Sequence, residues 1–298
     1  MLTLEVEKFE NMNFMKPMRA IFSGSSQSGK TRLMGKILKN QNQLFGEKFE
    51  LVKYFYPEYL EECPVDWHNE ICTPISYQPG FPVKNDILSM PSNSLLIIDD
   101  NMAKVVKSEL IRQLYNVISG KKNISVICVT QNYFTQGIYS RDIRNSSNYV
   151  ALFRNCADAS LNKRVATAFG LGKAYQKAEE EFFKGNVYPY VFIDQTQRAQ
   201  LSSYRLYVNI FDNPRIAYSS SGMKGYILGE KEFNAAFKIL QERKNNSTVV
   251  LNEDKTNKLS GTKRPAKGGQ TKFKSSKSPG SARRDTTQKW RKFQPKSE

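Results

Sequence analysis

Phe22-Ser23-Gly24-Ser25-Ser26-Gln27-Ser28-Gly29-Lys30-Thr31 is the stretch from which the fold can be read. It follows Met18-Arg19-Ala20-Ile21, an apolar run with the look of a buried strand. It precedes Arg32 to Lys39, where Leu33, Met34, Ile37 and Leu38 recur at helical spacing. Strand, glycine-punctuated loop and helix in that order make a P-loop. A polyphosphate has to be wrapped by consecutive backbone N–H groups, and glycines permit the positive-φ turns and close approach that wrapping needs. The pattern assigns Gly24, Ser25, Ser26, Gln27, Ser28, Gly29, Lys30 and Thr31 to nucleotide binding, with Lys30 reaching the β- and γ-phosphates and the Thr31 hydroxyl on Mg²⁺. The competing reading is a Ser/Gly connection that binds nothing.

About seventy residues further on, Ser94-Leu95-Leu96-Ile97-Ile98-Asp99-Asp100 runs through four apolar residues into two carboxylates. A continuous apolar run reads as a strand buried on both faces of a parallel sheet, and ligands of such sheets sit at the carboxyl ends of the strands. After a P-loop this is a Walker B element: Asp99 is expected to hold Mg²⁺, and Asp100 to orient and deprotonate the attacking water. Ile124-Ser125-Val126-Ile127-Cys128-Val129-Thr130-Gln131 is a further buried strand with a polar end. There Gln131 is placed to bridge the γ-phosphate, water and the Walker B carboxylate; a strand that merely ends in a polar turn is the alternative.

Around these elements the sequence predicts strands at 49–56, 149–153 and, at an edge, 72–77. Helices are expected at 104–118, 159–169, 175–185 and 233–243, and a closing β-hairpin from 188–194 and 204–211. The fold class that follows is α/β, a P-loop NTPase with a mostly parallel central sheet of the additional-strand (RecA/FtsK-like) type. The expected divisions are a lead-in at 1–17, an ATPase domain at 18–215, a helical extension at 216–250 and a basic tail at 251–298.

Charge is unevenly placed. Residues 255–298 hold 14 Lys/Arg against Asp285 and Glu298, so +12 of the formal net charge of +17 lies in the last 44 residues. That segment is rich in Ser, Gly, Pro and Thr, too polar to offset the entropy of ordering it, and is expected to be disordered. Its cations suit nonspecific, salt-sensitive binding to nucleic acid, and Trp290 and Phe293 among them suit stacking on bases or docking on a partner. A solubilising tail is the plainer alternative. Lys263-Arg264-Pro265-Ala266-Lys267 has the pattern of a nuclear localisation signal. No stretch approaches the ~18 apolar residues of a membrane span, and the N-terminus lacks the regions of a signal peptide. The expected setting is therefore intracellular, the nucleus ahead of the cytoplasm, with association with a virion beside it. Cys63, Cys72, Cys128 and Cys156 have no metal-site spacing, and His68 is the only histidine, which excludes a His-based metal centre or triad.

A strand between the P-loop and Walker B strands, and a polar-ended strand after them, is the order of the additional-strand ATPases. The carrying segments are Phe22 to Thr31, Leu96 to Met102, and above all Asn123 to Phe134, continued by Arg141-Asp142-Ile143-Arg144-Asn145 and Asn148 to Asn155. Together they resemble the genome-packaging ATPases of large DNA viruses and polinton/adintovirus-type elements, the poxvirus-like branch of the FtsK/HerA superfamily. The resemblance covers about residues 18–212. It implies an ATP- and Mg²⁺-dependent translocase that packages double-stranded DNA, working as a homo-oligomeric ring with capsid or portal-vertex proteins as partners. It also implies an arginine supplied by a neighbouring subunit, for which Arg141 is the first candidate and Arg144 the second; surface or DNA-backbone contacts are the alternative for both. Two departures stand out: Asp100 replaces the glutamate of many relatives, and Lys121-Lys122 stand where a His pair is frequent. Another P-loop nucleic-acid enzyme, such as a helicase or polynucleotide kinase, and a DNA-binding assembly factor with weak ATPase activity are the alternative functions.

Overall fold

The computed structural model describes residues 5–9, 13–156, 158–196, 204–213 and 215–229, with Ala235 and Lys238. Its strands are β1 (Glu5–Phe9), β2 (Arg19–Ser23), β3 (Val52–Tyr56), β4 (Ile75–Pro79), β5 (Ser94–Ile98), β6 (Ile124–Thr130), β7 (Tyr149–Phe153), β8 (Tyr190–Asp194), β9 (Tyr204–Tyr207), β10 (Arg215–Ser219) and β11 (Lys224–Gly229). They form one sheet in the order β1-β11-β10-β9-β8-β7-β2-β6-β5-β3-β4.

From β7 to β4 every neighbouring pair is parallel. The P-loop strand β2 does not touch the Walker B strand β5. Strand β6 lies between them, pairing Ser23 with Thr130 on one side and Ile98 with Cys128 on the other. The expected mostly parallel sheet with an inserted strand is therefore present. All residues of β5, β6 and β7 are buried, as continuous apolar runs require when both faces are covered.

Alternate residues of these strands feed two cores. Ile21, Leu96, Ile98, Val126 and Val150 face one side; Phe22, Leu95, Ile97, Ile127 and Ala151 face the other. The second side is covered by α1 (Lys30–Lys39), through Leu33, Met34, Ile37 and Leu38, and by α2 (Gln41–Phe45). The first is covered by α3 (Lys84–Leu88), α4 (Met102–Val105), α5 (Glu109–Gln113), α7 (Ser140–Ser146), α8 (Ala159–Ala168) and α9 (Gly172–Phe182), while the short α6 (Ser119–Lys122) leads into β6. Each large aliphatic side chain so buried contributes roughly 1.5–3 kcal/mol over its exposed state.

The structure corrects two expectations. The single helix expected at 104–118 is broken into the end of α4, then α5, then a π-helical turn at Leu114–Ile118. Ser108 starts α5 afresh, its hydroxyl accepting from the Ile111 N–H at 3.3 Å, and the π turn then brings both Leu114 and Tyr115 into the core. The first part of the extension at 216–250 is not helical: β10 and β11 form an antiparallel pair there, turned at Gly222 with φ 88°. Within the expected lead-in, residues 5–9 pair parallel with β11, and Phe14 packs on the core, buried edge-on against Tyr149 at 5.4 Å. The expected hairpin is present as β8 and β9, with Phe192 opposite Tyr207, though β9 pairs onward with β10 rather than closing the sheet. The helix expected at 233–243 and the basic tail at 251–298 lie outside the described residues.

Candidate active site

The carboxyl ends of β2, β5 and β6 come together, and the groove between them is the candidate site. Residues 24–29 wrap the end of β2. The Gly24 N–H donates to the Thr130 carbonyl at 3.1 Å, anchoring the loop on β6. A Cβ on Gly24 would lie 2.6 Å from Phe153 Cβ, so only glycine fits. Gln27 and Gly29 take left-handed backbone, at φ 60° and 98°. Helix α1 then begins with no acidic residue in its first turn, so its free N–H groups and dipole remain available to an anion.

Lys30 Nζ donates to the carbonyls of Gly24, at 2.8 Å, and Ser25, at 2.6 Å. The ammonium is thus folded over the loop that a phosphate would occupy. Burial pulls its pKa below the usual lysine value, while Asp99 and Asp100 act against that.

Asp99 leaves β5 with its N–H donating to the Phe55 carbonyl of β3, at 2.9 Å. The Tyr54 hydroxyl, also from β3, donates to Asp99 Oδ2. Burial raises the Asp99 carboxyl above the usual carboxylate range; the Tyr54 hydrogen bond and Lys30 pull down, and Asp100 adds to the rise. Asp100 is exposed and holds φ 48°, a conformation that aspartate tolerates better than most side chains. Gln131 Nε2 donates to both Asp100 carboxylate oxygens, at 3.3 and 3.4 Å.

Lys30, Thr31, Asp99, Asp100 and Gln131 line one groove of about 180 Å³, with Ser26 and Gln27 from the loop. Thr31 and Asp99 bring to the groove two side-chain oxygens of the kind a hard cation takes, and no cluster of three or more His, Cys, Asp or Glu stands among the described residues. That donor set fits Mg²⁺, which completes its shell with phosphate oxygens and water rather than with a protein cage.

Other expected residues stand elsewhere. Arg141 and Arg144 lie on α7 and neither lines the groove. Arg141 is exposed. Arg144 is half-buried, its guanidinium carbon 5.9 Å from the ring centres of both Tyr133 and Phe134, with Nη1 buried and without a hydrogen-bond partner. Lys121 and Lys122 precede β6, at the end of that strand remote from the groove, and Lys122 Nζ donates to the Leu88 carbonyl. His68 is exposed, edge-on to Tyr77.

Sequence reasoning missed Tyr54, Asn101 and the segment after β3. Asn101 Nδ2 donates to the carbonyls of Gly80, at 3.3 Å, and Asp99, at 3.2 Å. Pro57, Tyr59, Leu60 and Pro64 form the groove wall on the β3 side. A signal did exist for Tyr54: a buried strand that carries a phenol must give its hydroxyl a partner.

Fold and loop together are those of a P-loop NTPase. Among solved structures, the chain is similar to the genome packaging NTPase B204 from Sulfolobus turreted icosahedral virus 2 in complex with AMP, at 13% identity and a TM-score of 0.42 over 61% of this chain and 96% of that one. The complex of that NTPase with ATP-gammaS gives 13% identity and 0.41 over the same shares. The flagellar accessory protein FlaH from Methanocaldococcus jannaschii gives 13% and 0.33, over 47% of this chain and 72% of that one. No family model and no curated protein matches the chain.

Proposed function

We propose that this protein is an Mg²⁺-dependent ATPase that drives double-stranded DNA during the packaging of a viral genome. The observation that carries the hydrolytic part is the meeting of Lys30, Thr31, Asp99, Asp100 and Gln131 in one groove. Lys30 exchanges the Gly24 and Ser25 carbonyls for β- and γ-phosphate oxygens. Thr31 and Asp99 would hold Mg²⁺, which would supply positive charge against that developing on the transferred phosphoryl group. Asp100, steadied by Gln131, takes a proton from the attacking water; the water oxygen bonds to the γ-phosphorus, the bond to the β,γ-bridging oxygen breaks, and ADP and phosphate leave.

The load is argued from charge. The +12 carried by residues 255–298 suits a polyanion without sequence preference. Arg141, exposed on α7 and absent from its own groove, is the residue assigned to a neighbour's site in a homo-oligomeric ring. ATPase assays with and without double-stranded DNA test the reading. Hydrolysis that rises with DNA and vanishes in Lys30→Ala supports it. No hydrolysis, or hydrolysis indifferent to DNA, overturns the motor; activity surviving in Lys30→Ala overturns the site.

A further inference from the structure

A second groove meets the phosphate loop. It has about 350 Å³ and shares Gln27, Lys30 and Thr31 with the first, but its remaining walls are Gly29, Arg32 and Tyr188. The first groove adds the carboxylates of Asp99 and Asp100 and the Gln131 amide; this one has no acidic residue and adds the Tyr188 ring and the Arg32 guanidinium.

Tyr188 comes from the loop between α9 and β8, far in sequence from the P-loop, yet it is seated directly on it. A Cβ on Gly29 would fall 2.8 Å from Tyr188 Cβ and 3.1 Å from its ring, so glycine at 29 makes room for the tyrosine as well as for the turn. The ring is braced by Arg32, whose guanidinium carbon is 5.2 Å from the ring centre, while 42% of Tyr188 stays exposed beside the cavity. An aromatic platform fixed to a phosphate grip, with open space beside it, is suited to a flat π-system attached to the phosphates.

The two grooves also fix which way a nucleotide lies. Metal and attacking water need the carboxylates, so the terminal phosphate points into the first groove. The chain of phosphates passes Lys30 and Thr31, and its other end leaves by the second, beside Arg32. We infer that the second groove is the nucleoside subsite, in which Tyr188 stacks the base of a nucleoside di- or triphosphate and Arg32 braces that stack. This rests on the nucleotide reading proposed above and adds to it the residue that recognises the base.

Calorimetric titration of the full chain with Mg·ADP and with Mg·pyrophosphate, a ligand without base or ribose, separates the two. Wild-type protein binds ADP more tightly than pyrophosphate. Tyr188→Leu, which keeps the bulk and removes the π-face, weakens ADP about tenfold, the order expected for one stacked base, and leaves pyrophosphate unchanged; Tyr188→Phe keeps wild-type affinity for both. Equal ADP affinity in the Leu and Phe variants overturns the stacking role, as does a parallel loss of pyrophosphate in Tyr188→Leu. ADP binding abolished by Lys30→Ala but indifferent to Tyr188 overturns the subsite and leaves the nucleotide site standing. Failure of wild-type protein to bind either ligand overturns both.

Discussion

The Tyr54 hydroxyl, on β3, holds the Oδ2 of Asp99, at the end of β5. Register makes this possible, since Tyr54 lies opposite Ile97, two residues before the carboxylate. The tyrosine is fully buried, edge-on to Trp67 at 5.5 Å and to Tyr77 at 5.9 Å, so its hydroxyl is a rigid donor. Outer-shell partners of this kind set the orientation of a metal ligand.

Tyr54→Phe keeps the ring in its aromatic nest and deletes only the donor. The expected result is a folded protein whose ATPase needs more Mg²⁺, the half-saturating concentration rising by about tenfold or more. Activity titrated against Mg²⁺ at saturating ATP reads this directly. An unshifted Mg²⁺ curve would show the hydrogen bond to be structural only.

The Asp99 carboxyl, raised by burial, gives a signed pH dependence. Its folded pKa exceeds the unfolded one, so the native state binds the proton more strongly, and stability is lost as pH rises from the unfolded value through the raised one. Asp99→Asn removes that loss while keeping an oxygen for the Tyr54 hydroxyl. Without Mg²⁺ and nucleotide, the variant should melt above wild type at pH 7–8, the difference closing toward pH 4, while hydrolysis is abolished. Thermal denaturation across pH measures it, and a variant that melts below wild type at pH 7–8 contradicts the assignment.

Gly24→Ala and Gly120→Ala form a matched pair. At Gly24 the new methyl meets Phe153 Cβ at 2.6 Å and Ser28 Oγ at 2.8 Å, whereas at Gly120, within α6, it meets nothing within 4 Å. Denaturant unfolding should show Gly24→Ala destabilised by about 1–3 kcal/mol, with nucleotide binding lost. Gly120→Ala should gain about 0.5–1 kcal/mol and hydrolyse normally.

Arg141 and Arg144 are separable by mixing. Arg144 is held by Tyr133 and Phe134, so Arg144→Ala should lower the melting temperature. Arg141 is exposed, so Arg141→Ala should not. Titrating Arg141→Ala subunits into wild-type protein should depress activity more steeply than simple dilution; a linear decline removes it as the residue supplied between subunits.

Deleting residues 255–298 should weaken binding to double-stranded DNA and flatten the slope of log affinity against log salt, while basal hydrolysis persists. Fluorescence anisotropy across a salt series checks both.

The parallel half of the sheet was legible because strands buried on both faces spell themselves as unbroken apolar runs, as Leu95 to Ile98 and Val126 to Val129 do. Residues at the carboxyl ends of those runs, Asp99, Asp100 and Gln131, could therefore be placed together before any geometry was known. The far half was harder. Residues 215–219 and 224–229 are short, and the pairing of Arg215–Ser219 with β9 shifts register between Tyr218 and Ser219, so no clean alternation announced it. Helical period also misled at 104–118, where a cap at Ser108 and a π turn reset the phase. Tyr54 and Tyr188 escaped because Tyr54 acts from behind Asp99 and Tyr188 reaches the second groove from a loop far in sequence from the phosphate loop.

Strand β6 sits between β2 and β5, and this has a consequence for how the protein comes into being. A growing chain that ends before Ile124 already contains the phosphate loop and both carboxylates, yet the strand that carries them to working distance does not exist. Lys30 follows β2 and Asp99 follows β5, strands that are not neighbours in the sheet, so no local pairing can assemble half a site. The proposed function therefore requires β6: fragments truncated upstream of it should be inert rather than partly active.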